Sequence, residues 1–175
     1  MLVLKPDLEG AKIVYDIAKI ILTNIEEENI MKLESLDFEN NEMIPKKFTC
    51  DGEDINPCLI IEDIPEGTKR LALIMEDPDA PMGTWIHWIL FNIHITETIE
   101  ENSVPGTQGI NDFRKLEYGG PCPPSGTHRY FFKLYALDEK LHIDEGCKKK
   151  ELEEAMEGHI LTTAELIGLY SRENK

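Results

Sequence analysis

The sequence predicts an antiparallel β-sandwich carrying peripheral helices, and three observations lead there. Short apolar runs alternate with a period of two, as in Leu71–Glu76, Ile86–Ile93 and His128–Asp138. Clusters of Gly, Pro, Asn and Asp separate these runs at short intervals. Helical spacing of apolar residues is confined to the two ends of the chain. Strands in the middle with helices at the margins bury their apolar faces most simply as two packed sheets.

Residues 1–30 read as a unit apart. Ile13, Val14, Ile17, Ile20, Ile21 and Ile25 recur at helical spacing, with Lys12, Asp16, Lys19 and Asn24 opposite. The run closes on Glu26-Glu27-Glu28, an unfavourable charge set for a helix C-terminus. It could serve as a docked helix, as a partner-binding arm, or as upstream sequence ahead of a natural start at Met31. The reading adopted is a loosely attached helical extension, with no part in the site, ahead of a domain over residues 31–175.

Within that domain, Leu33–Phe38 and Cys58–Ile61 carry the first strand signals, with Asp51–Asp54 and Pro65–Thr68 as turns. Leu71–Glu76 puts Leu71, Leu73, Met75 and then Asp77 on one face. Ile86–Ile93 puts His87, Ile89, Phe91 and Ile93 on one face, with Trp88 and Leu90 on the other. Apolar residues on both faces mark a central strand. His128–Asp138 gathers His128, Tyr130, Phe132, Leu134 and Ala136. The Gly- and Pro-rich segment 100–127 is long for a loop inside one domain, and its prolines argue for an ordered wall. Lys149–Glu157 and Ile160–Arg172 predict two helices split near Gly158, the second striped by Ile160, Ala164, Ile167 and Tyr170. Lys148, Lys149 and Lys150 oppose the dipole at the start of the first helix, and the sequence offers no account of them.

The totals exclude several function classes. A chain of 175 residues can bury a core without disulfide or metal support. Its 18 basic and 34 acidic residues leave a net charge of -16, which repels nucleic acid and anionic bilayers. No apolar run approaches the roughly 18–20 residues of a membrane span. Cys50, Cys58, Cys122 and Cys147 lack the spacing of a zinc site, and no cofactor is expected. With no basic n-region, and with Asp16 and Lys19 interrupting the first apolar stretch, no cleavable signal is read. The expectation is a cytoplasmic protein with reduced thiols, a Cys50–Cys58 bridge being the pairing left open. A homodimer is compatible with all of this.

The chemistry concentrates around Asp77-Pro78-Asp79-Ala80-Pro81. Each proline removes a donor and drives the preceding residue toward extended backbone, so the corner should be rigid and exposed, aiming two carboxylates off a strand end. Trp85 and His87 open the next strand after a short connection, which places His87 beside Asp77 in an antiparallel pair. His128 opens a third apolar stripe, and Tyr118–Pro124 would form the lip, its glycines leaving amides free for an anion. Each residue also has a plainer reading. A single His at a strand end is usually just a satisfied polar group, and Asp before Pro starts many turns. Arg129 reads as a structural ion-pair partner, Trp85 and Trp88 as packing, and His94, His142 and His159 as exposed or helix-packed.

The same residues carry a family resemblance. Asp-Pro-Asp-Ala-Pro, Trp85-x-His87-Trp88 and Gly119-Gly120-Pro-x-Pro-Pro-x-Gly-x-His128-Arg-Tyr130 resemble the phosphatidylethanolamine-binding protein family, in its compact bacterial and archaeal, Raf-kinase-inhibitor-like branch. The resemblance runs from about Met31 to the C-terminus and takes in Phe48–Gly52, Asn111-Asp112-Phe113 and Gly158–Leu161. It implies a Greek-key β-sandwich and a small pocket for phosphate or a phosphoethanolamine head group, with Asp77, Asp79, Trp85, His87, Gly120, Pro123, His128 and Tyr130 at the matching positions. It also implies a cis bond at Ala80–Pro81. Arg114 and Glu117 depart from the glycines more common in that branch, and residues 1–30 have no counterpart.

The expected function is therefore non-enzymatic binding of a small anionic, phosphate-containing ligand. The alternative is a protein inhibitor of a kinase or serine protease, for which no residue specifies a target. Enzyme readings, with a metal held by two Asp and two His or a Cys122–His128 pair, are disfavoured by the stiff corner and by Pro121 and Pro123 flanking Cys122. Two carboxylates repel phosphate, so a bound anion requires His87 or His128 cationic or Asp77 protonated. Affinity should then strengthen as pH falls from about 8 to about 6.

Overall fold

A computed structural model describes residues 12–17 and 30–172. Its strongest strand is β4 (Arg70–Asp77), buried from Leu71 to Asp77 because both neighbours and both faces are covered. Antiparallel β5 (Trp85–Ile93) and β8 (Thr127–Leu137) flank it. These strands belong to a six-stranded sheet of order β2-β9-β8-β4-β5-β7, completed by β2 (Glu42–Met43), β7 (Thr107–Gln108) and β9 (Ile160–Ser171). The second sheet, β1-β3-β6, comprises β1 (Lys32–Ser35), β3 (Leu59–Glu62) and β6 (Thr98–Ile99). The mainly-β sandwich expected from the sequence is the fold observed.

The period-two pattern sorts the apolar residues into two cores. Leu71, Leu73 and Met75 point between the sheets with Tyr130, Phe132 and Leu134 of β8. Ala72 and Ile74 point the other way, under α1 (Lys149–Met156), where they meet Leu152 and Met156. Each fully buried large apolar side chain contributes about 1.5–3 kcal/mol, so the doubly covered β4 is the anchor of the domain.

The C-terminal half-prediction fails in an informative way. Ile160–Ser171 is the longest strand and not a helix, paired with β8 from Thr127↔Ser171 to Leu137↔Ile160. Leu166, Gly168 and Tyr170 alternate inward, a strand period hidden under an accidental helical stripe. Thr162, Thr163 and Ile167 suit a pleated surface. Gly168 is required by packing, since a Cβ there would collide with Ile44 and Phe38. The first of the two predicted helices is present as α1, and one of its lysines, Lys149, acquires a reason. Lys149 and Lys133 both donate to the buried carboxylate of Glu76, at 2.5 and 2.6 Å.

Residues 12–17 are helical and exposed; the remainder of the predicted 1–30 extension, up to residue 29, lies outside the described residues. The peptide bonds of the described residues are all trans, so the expected cis bond at Ala80–Pro81 is absent. The expectation of reduced thiols is also corrected: Cys50 is joined to Cys122, with Cys58 and Cys147 free. Spacing along the chain could not have paired residues 72 apart. No helix of the described residues is long and apolar enough to cross a membrane.

Candidate functional site

Where β4 ends, Asp77 is 3% exposed and its side chain folds back on its own turn. One carboxylate oxygen accepts the Asp79 amide at 2.8 Å, and the other accepts His128 Nδ1–H at 2.7 Å. The corner is thus an Asx turn whose acid also fixes a histidine. His128, 7% exposed, reaches Asp77 because β8 runs antiparallel beside β4. The Asp77 carboxylate thereby fixes His128 Nδ1 as a donor.

Asp79 turns outward instead. Arg129 donates to it from its backbone amide at 3.0 Å, from Nε at 2.9 Å and from Nη2 at 2.8 Å. Those Arg129 hydrogen bonds, outweighing the desolvation that opposes them, hold the Asp79 carboxyl at about 2. Arg129 is the structural ion-pair partner the sequence suggested, and it neutralises the second acid of the corner.

His87 arrives by a route that alternation did not foresee. Met75 pairs with Trp88 but Glu76 with Ile86, so His87 is the extra residue of a β-bulge. The bulge moves Ile86 to the α1 side with Ile89 and Phe91, and turns His87 to the sandwich side with Trp88. The expectation that His87 shares a face with Ile89 and Phe91 is therefore corrected, and the correction is what brings it to Asp77 and Tyr130. Its Nδ1–H donates to the Gly119 carbonyl at 2.6 Å, which sets the tautomer, and its ring meets Tyr130 edge-on at 5.2 Å. Burial pushes the His87 pKa down, with the Gly119 carbonyl and Asp77 opposing that shift only in part. The Gly120 backbone is a second hydrogen-bonding neighbour of the His87 ring.

Tyr130 lies beneath both histidines, fully buried. Its hydroxyl is the buried side-chain polar atom that has no hydrogen-bond partner in the described residues, with the Cys122 backbone beside it. Burial, then the Asp77 charge, raises its pKa far above the ordinary phenol. Trp85 is half-buried at the rim, stacked edge-on against Phe113 at 5.5 Å; Phe113 also meets His87 at 5.3 Å.

The lip departs from expectation in its amides. Gly119 N–H is spent on the His87 carbonyl at 3.1 Å and Gly120 N–H on Asp54 Oδ1 at 2.7 Å, so neither is free for an anion. Gly120 is needed for close approach, because a Cβ would stand 2.5 Å from the Phe48 carbonyl oxygen. Pro123 is buried in the same lip. Glu117 does not aim into the rim; it is exposed and paired with Lys115 at 2.8 Å. Arg114 sits at φ 65°, a conformation glycine adopts without cost.

Two residues that sequence reasoning did not assign to the site help to build it. Asn111 donates through Nδ2 to the His87 and Glu117 carbonyls and accepts the Lys115 amide, closing the wall loop on β5. Phe113 is an aromatic flanked by Asn111, Asp112, Arg114 and Lys115, and that was the available signal. Among the described residues no three His, Cys, Asp or Glu side chains are grouped to hold a metal ion. A cavity of about 1150 Å³ lined by Lys32, Ile61, Gly67 and Ile95 lies on the smaller sheet and includes none of the rim residues.

The comparisons with known proteins agree with this architecture. The family model described as phosphatidylethanolamine-binding protein matches residues 34–171. A UPF0098 protein of Methanothermobacter thermautotrophicus is 49% identical over 150 residues, covering 81% of this chain and 99% of the relative. The UPF0098 protein PH1269 of Pyrococcus horikoshii is 49% identical over 158 residues, covering 84% and 79%. Among solved structures, the phosphatidylethanolamine-binding protein homologue CT736 of Chlamydia trachomatis superposes with a TM-score of 0.81 at 43% identity, covering 83% of this chain and 99% of its own. YbcL of E. coli superposes at 0.76 with 28% identity, covering 82% and 99%.

Proposed function

The chain belongs to the phosphatidylethanolamine-binding protein family, and on that premise we propose that it is a non-enzymatic binding protein whose rim of Asp77, His87, His128 and Tyr130 takes a small phosphate-bearing ligand, either phosphate or phosphoethanolamine. The observation that carries this reading is the Tyr130 hydroxyl, buried beside His87 without a partner. A buried hydroxyl left unpaired costs about 1–3 kcal/mol, which an accepting ligand oxygen would offset. Trp85, Asp79, Gly120 and Pro123 support the rim from behind or beside it. The repulsion between acids and phosphate is smaller than two carboxylates would suggest. Asp79 is paired outward with Arg129, and Asp77 is engaged by His128.

Tyr130→Phe tests the reading. The variant should bind phosphate about tenfold more weakly, the loss of roughly one hydrogen bond to an anion. Its melting temperature without ligand should be unchanged or higher, because an unpaired polar atom has been removed. Equal phosphate affinity in calorimetry would sink the proposal.

Protons form the second test. His87 is held neutral by burial, so an anion that draws a proton onto it must bind with proton uptake. Phosphate affinity should rise as pH falls through about 6.5 and continue rising below it, where an unburied histidine would already be saturated. Sulfate, whose charge is constant over that range, separates the protein's protons from those of phosphate. Sulfate affinity that stays flat or weakens at low pH would exclude His87 as the donor.

A cytoplasmic location belongs to the same proposal, with a condition set by Cys50–Cys122. Disulfides persist in oxidising surroundings, so in a reducing compartment this bond would be open.

A further inference from the structure

The lip of the rim is poor in backbone hydrogen bonds. From Pro121 to Gly126, one backbone hydrogen bond ties the segment to the rest of the described residues, from Cys50 N–H to the Pro121 carbonyl at 3.2 Å. Pro121, Pro123 and Pro124 have no amide to donate. The covalent tie is Cys50–Cys122. Gly120 at one end of the segment is wedged against Phe48 and Thr49, whereas Gly126 at the other end sits at φ 70° in open space. The segment is therefore a short flap, seated by Gly120 and the buried Pro121 and Pro123, exposed from Pro124 to Thr127, and tied in its middle by sulfur.

The Cys50 side of the bond is rigid. Asp51, the next residue, accepts two hydrogen bonds from Arg172 at 2.9 and 3.0 Å and one from Tyr170 at 3.0 Å, fastening this loop to β9. Thr49, the residue before, bonds the Lys46 carbonyl through its hydroxyl at 2.8 Å. The disulfide thus adds to the packing of Pro121 and Pro123 a covalent tie to the loop fastened on β9. That flap brings the Cys122 backbone beside the Tyr130 hydroxyl. Both cysteines are half-buried, within reach of a small thiolate.

We propose that Cys50–Cys122 is a redox-modification site that pins the lip of the rim, so that reduction by a dithiol opens the flap and lowers ligand affinity. The exchange balances. A thiolate of the dithiol attacks one sulfur, the mixed disulfide closes on the second thiol, and the dithiol leaves as its own disulfide. Two electrons and two protons are left on Cys50 and Cys122 as thiols. If the closed flap then falls to about a tenth of the population, affinity drops about tenfold. The effect on ligand rests on the binding proposed above; the reduction and the opening do not.

The test compares the protein as purified in air, the same protein in dithiothreitol, and Cys50→Ser. Alkylation followed by peptide mass mapping should find Cys50 linked to Cys122 before reduction and both alkylated after it. Inorganic phosphate should bind about tenfold more weakly to the reduced protein. Cys50→Ser should match the reduced protein and ignore dithiothreitol. Four free thiols in the unreduced protein, a bond that resists millimolar dithiothreitol, or equal phosphate affinity in both states overturns the proposal. Absence of phosphate binding in the oxidised protein would instead sink the function above. The redox proposal would then be decided by the Tyr130 and His87 ring resonances, which must shift on reduction; unchanged resonances overturn it.

Discussion

Replacing Cys50 and Cys122 together by serine is expected to lower the unfolding free energy of the oxidised protein by about 4 kcal/mol. The bond closes a loop spanning 72 positions, and the loop-closure entropy removed from the unfolded chain grows with the logarithm of that length. Against a total stability of about 5–15 kcal/mol, such a loss moves the protein close to its unfolding threshold at elevated temperature. Denaturant titration with and without dithiothreitol provides the check. The wild-type curve in reductant should fall on the variant's curve, and the variant should be indifferent to reductant. A difference below about 1 kcal/mol would mean that packing of the lip, rather than the cross-link, holds this part of the chain.

The second large effect is expected on the opposite face of β4. Glu76 is 5% exposed, with one carboxylate oxygen taken by Lys133 and the other by Lys149. Burial pushes its carboxyl up, but the two lysine hydrogen bonds outweigh that and hold it below its ordinary value. Replacing both lysines by methionine leaves a buried, unpaired carboxylate, at a cost of about 3–5 kcal/mol at neutral pH. The sign of the pH dependence should reverse as well. In the natural protein the Glu76 contribution is full above the unfolded carboxyl value near 4.5 and is lost as pH falls through the lowered folded value. In the double variant burial acts alone and raises the folded value. The folded state then binds the proton more tightly, and stability recovers as pH falls toward 5. Thermal melts between pH 5 and 8 distinguish the cases. A double variant whose melting temperature falls in parallel with the natural protein's as pH drops would refute the account.

Lys149 shows how local rules and tertiary structure divide the work. At the start of a helix a lysine opposes the dipole, at a cost of less than about 1 kcal/mol. The charge-assisted bond to a buried carboxylate is the larger effect. No spacing rule connects residue 149 to residue 76, so the sequence left the lysines unexplained. The C-terminal strand failed for a related reason. Ile160, Ala164, Ile167 and Tyr170 satisfy a helical stripe, but β8 offers a full-length edge whose backbone groups must be paired. That demand outweighed local periodicity.

The candidate site was legible in its members and not in its bonding. The sequence marked Asp77, Asp79, Trp85, His87, Gly120, Pro123, His128 and Tyr130, and the fold assembles Asp77, His87, His128 and Tyr130 at one end of the large sheet. Chemically conspicuous residue types at the ends of period-two runs need no coordinates to be noticed. Their orientation did. A single inserted residue at His87 turned that ring to the sandwich side, and a bulge leaves no mark in apolar alternation. The lip amides, expected to be free, are consumed by His87 and Asp54, because backbone donors take whatever acceptor the packed chain brings near.

By itself the sequence determined the class of fold, through alternating apolar runs and the turns between them, and the chemistry available at the rim, through its acids, histidines and tyrosine. Only the tertiary structure decided which partner each polar group takes: Arg129 for Asp79, His128 for Asp77, Gly119 for His87, Cys50 for Cys122, and none for the Tyr130 hydroxyl. The physical reason is range. Periodicity acts between neighbours along the chain, whereas hydrogen bonds, ion pairs and disulfides act over a few ångströms of space, between residues whose proximity exists only after the sheets have packed.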